Sequence, residues 1–343
     1  MRLLGKILFI LFVIALLVSG GTLALFSSWR TKQTTLLQKG STVALTATGE
    51  IEFARTPGNG PVVLVFHAAP GGYDQGLLLG DNLAQNGFQV IAPSRPGYLG
   101  TPLKTGLTPE DQADAMANLL NTLGIERVGV LGFSLGCPAA IQFAIRHPDR
   151  TWGVVLTSTV VKRYVPGPVA PHSLLGTLIL TKAYSDMGSW GLVAEAKYFP
   201  DKAILRMLSG ETNMTEQERN KIGYAILKTP DQLAWYRSLL STVVPMQIRQ
   251  AGFTNDVVQL RGLPDIGFNP IQAPLLVIHG AKDADTPLAD VKAVTNRLSS
   301  AQLLTVEDSG PLVWLGPNAK MVNDHILAFM QLNAPQVPAA TAP

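Results

Sequence analysis

The 343-residue chain is poor in cysteine and histidine, with one of the first, Cys137, and five of the second. A single thiol excludes an internal disulfide and any cysteine-based metal cage. The histidines are scattered, with no His-x-x-x-His spacing, so no metal is expected, and no cofactor. A Gly-x-x-x-x-Gly-Lys phosphate loop is missing as well. Charged residues make up only 15% and the formal net charge is +3. Without a Lys/Arg patch interleaved with aromatics, a nucleic-acid partner is not expected.

From Ile7 to Phe26 charge is absent altogether. Those 20 residues would cover roughly 30 Å as a helix, the thickness of a bilayer core. The segment is either an uncleaved membrane anchor or a signal peptide, with Ile7–Val18 as its apolar stretch and Thr22-Leu23-Ala24 as its cleavage site. Continuation of the apolar run through Phe26 favours the anchor. Arg2 and Lys6 favour a cytoplasmic N-terminus, against Arg30, Lys32 and Lys39 on the far side. A single-pass protein with its globular part outside the cytoplasm is the expectation, the alternative being secretion after cleavage.

What is abundant is apolar sequence, 47% of the chain. Thr42–Thr48 and Ile51–Arg55 alternate like an antiparallel hairpin. Val62–Phe66, Gln89–Ala92, Val128–Leu131, Val154–Leu156 and Leu275–Ile278 are continuous apolar runs, as suits strands buried on both faces of a parallel sheet. Between them Thr108–Leu123, with Thr108 as cap and Pro109 at the first helical position, and Leu135–His147 read as helices. The alternation predicts an α/β protein with helices on both faces of a mostly parallel sheet. Residues 160–269 break the rhythm with amphipathic stretches at Ala194–Leu208, Thr215–Leu227 and Pro230–Leu240. The expected organisation is an anchor or signal at 1–28, a linker at 29–41, an α/β core from 42–159 and 270–333, a helical cap insertion at 160–269 and a Pro/Ala-rich disordered tail at 334–343.

Gly132-Phe133-Ser134-Leu135-Gly136 follows an apolar strand and opens a helix, the setting of a nucleophile elbow that exposes a serine hydroxyl above the sheet. His67-Ala68-Ala69-Pro70-Gly71-Gly72 follows the third strand, Ser94-Arg95-Pro96-Gly97-Tyr98 the fourth, and His279-Gly280-Ala281-Lys282-Asp283-Ala284-Asp285-Thr286-Pro287 the strand after the insertion. In this order the motifs resemble the α/β-hydrolase superfamily, in its serine-nucleophile branch with esterases and prolyl aminopeptidases. The resemblance spans about 42–332. It implies Ser134 as nucleophile, the backbone N–H groups of Leu135 and Ala69 as the oxyanion hole, and Asp283 as the acid, with Asp285 as second choice. It implies structural roles for His67 and His279. Two departures stand out: Ala68 replaces a glycine, and Ser94 replaces an acid in the Asp-Arg-Pro-Gly-Tyr turn.

The third departure bears on activity. The family's last loop ends in Gly-His, and here Ser309-Gly310-Pro311-Leu312 carries Pro311. Proline has no ionisable group and no N–H, so the position cannot take a proton from Ser134. Loss of the base in such triads costs about a millionfold in turnover. His147 and His325 lie on the wrong elements. His172, at the start of the insertion, is the remaining candidate for a substitute base beside His67 and His279. Two functions follow: a membrane-tethered serine hydrolase acting on a carboxylic ester or amide through Ser134, or a pseudo-hydrolase that keeps the pocket to bind a small molecule or a protein partner.

Overall fold

The computed structural model describes residues 2–163, 185–298 and 300–336. Helix α1 runs unbroken from Arg2 to Lys39. The stretch read as a linker therefore continues the apolar helix, and no Pro or Gly interrupts it between Thr22 and Lys39. At 1.5 Å per residue α1 is roughly 57 Å long, and its apolar half from Leu3 onward is unburied, with a mean hydropathy of 2.7.

Eight strands form one sheet in the order β1-β2-β4-β3-β5-β6-β7-β8. They are β1 (Thr42–Thr46), β2 (Gly49–Arg55), β3 (Val62–Phe66), β4 (Gln89–Pro93), β5 (Val128–Phe133), β6 (Thr151–Thr157), β7 (Leu275–Gly280) and β8 (Ala301–Val306). The β1–β2 pairing is antiparallel, as the hairpin pattern predicts; β2–β4 is antiparallel as well, and all others are parallel. Successive side chains of one strand serve opposite faces. Leu64 and Phe66 join the core beneath α3 (Pro109–Thr122) and α4 (Cys137–Arg146), whereas Val63 and Val65 join that beneath α2 (Tyr73–Gln85) and the C-terminal helix α11 (Ala319–Asn333). All four strand residues are fully buried, which is why the runs read as continuously apolar. Thr108 caps α3 in a reciprocal capping box with Asp111.

The chain passes from β3 to β4 on one side and returns to β5 on the other. The strand order therefore reverses between β3 and β5, and a crevice opens at their C-terminal ends, where open α/β sheets bind ligands. Between β6 and β7 the described residues hold α5 (Ser185–Tyr198), α6 (Pro200–Glu211), α7 (Glu216–Lys228), α8 (Pro230–Ser241) and α9 (Gln250–Arg261). Ala203, Ile204, Leu208, Ile222, Ile226 and Tyr236 give these helices an apolar core of their own. The amphipathic stretch Ala194–Leu208 is two helices, not one. Pro200 has no N–H to continue α5 and starts α6 instead. A last short helix, α10 (Leu288–Thr295), links β7 to β8.

Candidate active site

β5 ends at Phe133 with extended backbone, and Ser134 turns sharply at φ 48° before a single 3-10 turn leads into α4. A non-glycine residue at that φ is strained, and such strain concentrates at functional turns. The turn closes only because its flanks lack side chains. A Cβ on Gly136 would lie 2.3 Å from the His67 carbonyl oxygen, and one on Gly132 would lie 2.9 Å from Ala140 Cβ. The elbow and the loop after β3 thus meet backbone to backbone, and Leu135 packs with Ala69. Ser134 is half-buried. Among the described residues none is hydrogen-bonded to its hydroxyl, and none takes the Ala69 N–H. The Leu135 N–H sits in a first turn, where backbone donors have no partner within the helix.

His67 is committed elsewhere. Its Nε2 accepts from the Arg95 backbone N–H at 2.9 Å, so the proton sits on Nδ1, which donates to the Ala68 carbonyl at 2.7 Å. Complete burial and the Arg95 guanidinium hold its pKa well below the ordinary histidine value. The ring positions the loop and cannot accept a proton from Ser134, in line with the structural role the resemblance implies.

Arg95 is itself fully buried and pairs with Asp256 of α9 through two bonds, 2.9 and 2.5 Å long, while the Tyr98 hydroxyl donates to the same carboxylate at 2.6 Å. This clamp fastens the cap to the turn after β4. A second one joins Arg249 to Asp74 at the start of α2, at 3.0 and 2.7 Å. Ser94 donates at 2.8 Å to Glu52 of β2, whose carboxylate also accepts from Ser41 and the Gly100 N–H. The charge missing at position 94 is therefore supplied from the neighbouring strand. Asp256, Arg249 and Glu52 carry no local motif, and their partners lie up to 175 positions away, so spacing in the sequence could not have found them.

Asp283 lies after β7, nearly fully buried. Its Oδ1 accepts from the Asp285 and Thr286 N–H groups, both at 2.9 Å, and Oδ2 accepts from Thr286 Oγ1 at 2.8 Å. Burial raises its pKa to about 6 against these donors. Asp283 thus closes its own loop, and the helix that follows, Leu288–Thr295, has no side-chain cap. Asp285 instead faces Glu211 at the end of α6; burial and the Asp285 charge push the Glu211 pKa up to about 8. Thr212 bridges to Asp283, the Asn213 N–H donates to Lys282 O at 3.0 Å, and the Ala284 N–H donates to Glu211 O at 3.1 Å. His279 Nε2 donates to Thr286 O at 2.7 Å and lies 3.5 Å from Asp283 Oδ2.

Pro311 is buried under the cap. Its carbonyl accepts from Ser158 Oγ at 2.7 Å and from the Val313 N–H at 3.0 Å. The cavity beside it, lined by Leu208, Thr212, Met214 and Ile222 among others, measures about 10 Å³ and holds one water at most. His147 bonds Asp114 and His325 bonds the Met321 carbonyl, both far along their helices from the crevice. None of the four described histidines bonds Ser134; His172 lies outside the described residues. Among the described residues no group of three His, Cys, Asp or Glu side chains is arranged to hold a metal ion.

Residues 61–315 match the family model of the alpha/beta hydrolase fold. The chain is 26% identical over 284 residues to a Bacillus subtilis (strain 168) protein described as uncharacterized hydrolase YcgS, covering 82% of this chain and 95% of that one. A 2-hydroxy-6-oxo-6-phenylhexa-2,4-dienoate hydrolase of Comamonas testosteroni is 27% identical over 190 residues, 51% of this chain and 60% of its own length. Among solved structures, an alpha/beta hydrolase fold protein from Nakamurella multipartita is 28% identical and superposes with a TM-score of 0.77, covering 85% of this chain and 99% of that one.

Proposed function

The chain belongs to the alpha/beta hydrolase fold family, and on that premise we propose that it is a membrane-tethered serine hydrolase acting on a carboxylic ester or amide through Ser134. The observation that carries this reading is the strained φ of 48° at Ser134, kept together with a half-buried hydroxyl and an Ala69 N–H that have no hydrogen-bond partner among the described residues. In the proposed reaction Ser134 Oγ attacks the substrate carbonyl, and the N–H groups of Leu135 and Ala69 stabilise the oxyanion, a contribution of about 3–4 kcal/mol per donor in comparable sites. Asp283 is the acid of the constellation. Residue 311 offers no acceptor, so in this reading the Ser134 proton passes to water. Collapse of the intermediate expels the alcohol or amine, which is protonated by water, and a second water releases the acid and restores Ser134. The core (42–159 and 270–333), the cap (160–269) and the tail (334–343) are proposed as the functional divisions. Helix α1 is proposed as an uncleaved anchor that holds the catalytic part outside the cytoplasm.

A second reading has its own observation. The Asp283 carboxylate accepts three hydrogen bonds from its own loop and Pro311 is tied to Ser158, so the acid–base arm of a triad is engaged elsewhere and a binding role remains. A serine-reactive fluorophosphonate probe and short-chain esters decide between them, using wild type, Ser134→Ala and Pro311→His. Labelling and turnover in wild type that vanish in Ser134→Ala support the hydrolase. Activity only in Pro311→His sinks it and leaves a pocket that binds.

A further inference from the structure

Helix α5 packs against α1. Arg30 pairs with Asp186 at 2.6 Å, and four residues on, Trp190 meets Phe26 at 5.8 Å and Trp29 at 6.4 Å between ring centroids. As α5 advances from 186 to 190, its partners on α1 recede from 30 towards 26. Helix α5 therefore runs antiparallel to α1, and its C-terminal end points towards the apolar half of the anchor. Two further bonds join α1 to the body: Tyr73 of α2 donates to the Leu37 carbonyl at 2.7 Å, and Arg30 also donates to Gln247 at 2.5 Å.

At the end to which α5 points, the α5–α6 turn exposes large apolar rings. Tyr198 is 65% exposed and Phe199 54%. Each carries a lysine over its face, Lys197 over Tyr198 at 4.9 Å and Lys202 over Phe199 at 5.3 Å. The neighbouring Glu195 is neutralised by Arg206, and Asp201 is the exposed carboxylate of the turn. Aromatic rings beside lysines whose stems can reach the headgroups are the composition of a bilayer interface.

We propose that the α5–α6 turn is a membrane-contact surface: Tyr198 and Phe199 enter the interface of the bilayer that holds α1, with Lys197 and Lys202 at the level of the phosphates. The occupant of this patch is the lipid surface itself. The inference rests on reading α1 as a membrane anchor.

The full-length protein in vesicles of phosphatidylethanolamine with a minority of phosphatidylglycerol provides the test. Single added cysteines at Phe199→Cys, Tyr198→Cys, Leu17→Cys on the anchor and Glu126→Cys, exposed just before the N-terminal end of the central strand β5, receive an environment-sensitive fluorophore. Cys137 is fully buried, so the wild-type chain labelled in parallel gives the background. The expected result is quenching by doxyl-labelled lipid at 198 and 199 at least about twofold above that at 126, as for a side chain seated in the interface. Quenching at 17 with water-like emission at both 198 and 199 overturns the contact surface and leaves the anchor standing. No quenching at 17 overturns the anchor and the surface together.

Discussion

The Ser158 hydroxyl donates to the Pro311 carbonyl at 2.7 Å, joining the end of β6 to the loop after β8 across the tip of β7. Pro311, proposed to stand in the place of a triad base, is thus held by its backbone. Ser158 takes a φ of 48° to make this contact, and its N–H donates to Ile278 O. Ser158→Ala leaves the carbonyl with the Val313 N–H alone and is expected to cost about 1 kcal/mol. Urea unfolding of the detergent-solubilised protein measures this, and an unchanged midpoint would show that the bond does not secure the loop.

The Arg95–Asp256 pair fastens cap to core inside the protein, and breaking one side strands a buried guanidinium. Asp256→Ala is expected to destabilise by about 3–5 kcal/mol, and the double change Arg95→Met with Asp256→Leu by distinctly less. Equal losses in the single and double variants, read from denaturant midpoints, would contradict a clamp whose removal is costly because of the orphaned charge.

The carboxyl pair Glu211–Asp285 gives stability a pH dependence. Burial, then the Asp285 charge, raises the Glu211 pKa from 4.5 to about 8, so the folded state keeps a proton that the unfolded chain releases. Stability therefore declines as pH rises from near 4.5 to about 8 and levels off above it. Glu211→Gln should flatten this slope and raise the midpoint of thermal unfolding at pH 8 by a few degrees. A variant that retains the wild-type slope would place its origin elsewhere, Asp283 being the next group to examine.

Gly136→Ala brings a Cβ against the carbonyls of His67 and Phe66, at 2.3 and 2.6 Å. Backbone has to move, at a cost of about 1–3 kcal/mol by the usual penalty of overpacking, and the elbow separates from the loop of Ala69. Calorimetry together with fluorophosphonate labelling checks this. A variant with both melting and labelling at the wild-type level would mean that the elbow tolerates the shift.

The sheet was legible because burial on both faces leaves its mark on every residue of a strand, as in Val62–Phe66 and Leu275–Ile278. The turn at Ser134 and the loop that closes on Asp283 were legible for a related reason: their geometry needs particular residues at fixed local spacing. The break between α5 and α6 was written at Pro200, but an amphipathic pattern that continues through it hid the break.

Residue order alone therefore established the α/β architecture, the apolar N-terminal helix, the order of Ser134 and Asp283 along the chain and the absence of a histidine at Pro311. Folding decided which side chains are free. It locked both nitrogens of His67, turned Asp283 onto its own loop, placed Glu52 beside Ser94 and set α5 antiparallel to α1. These outcomes depend on hydrogen bonds and ion pairs between residues far apart in the chain, chosen by which polar groups burial leaves without water, and no local pattern records that choice.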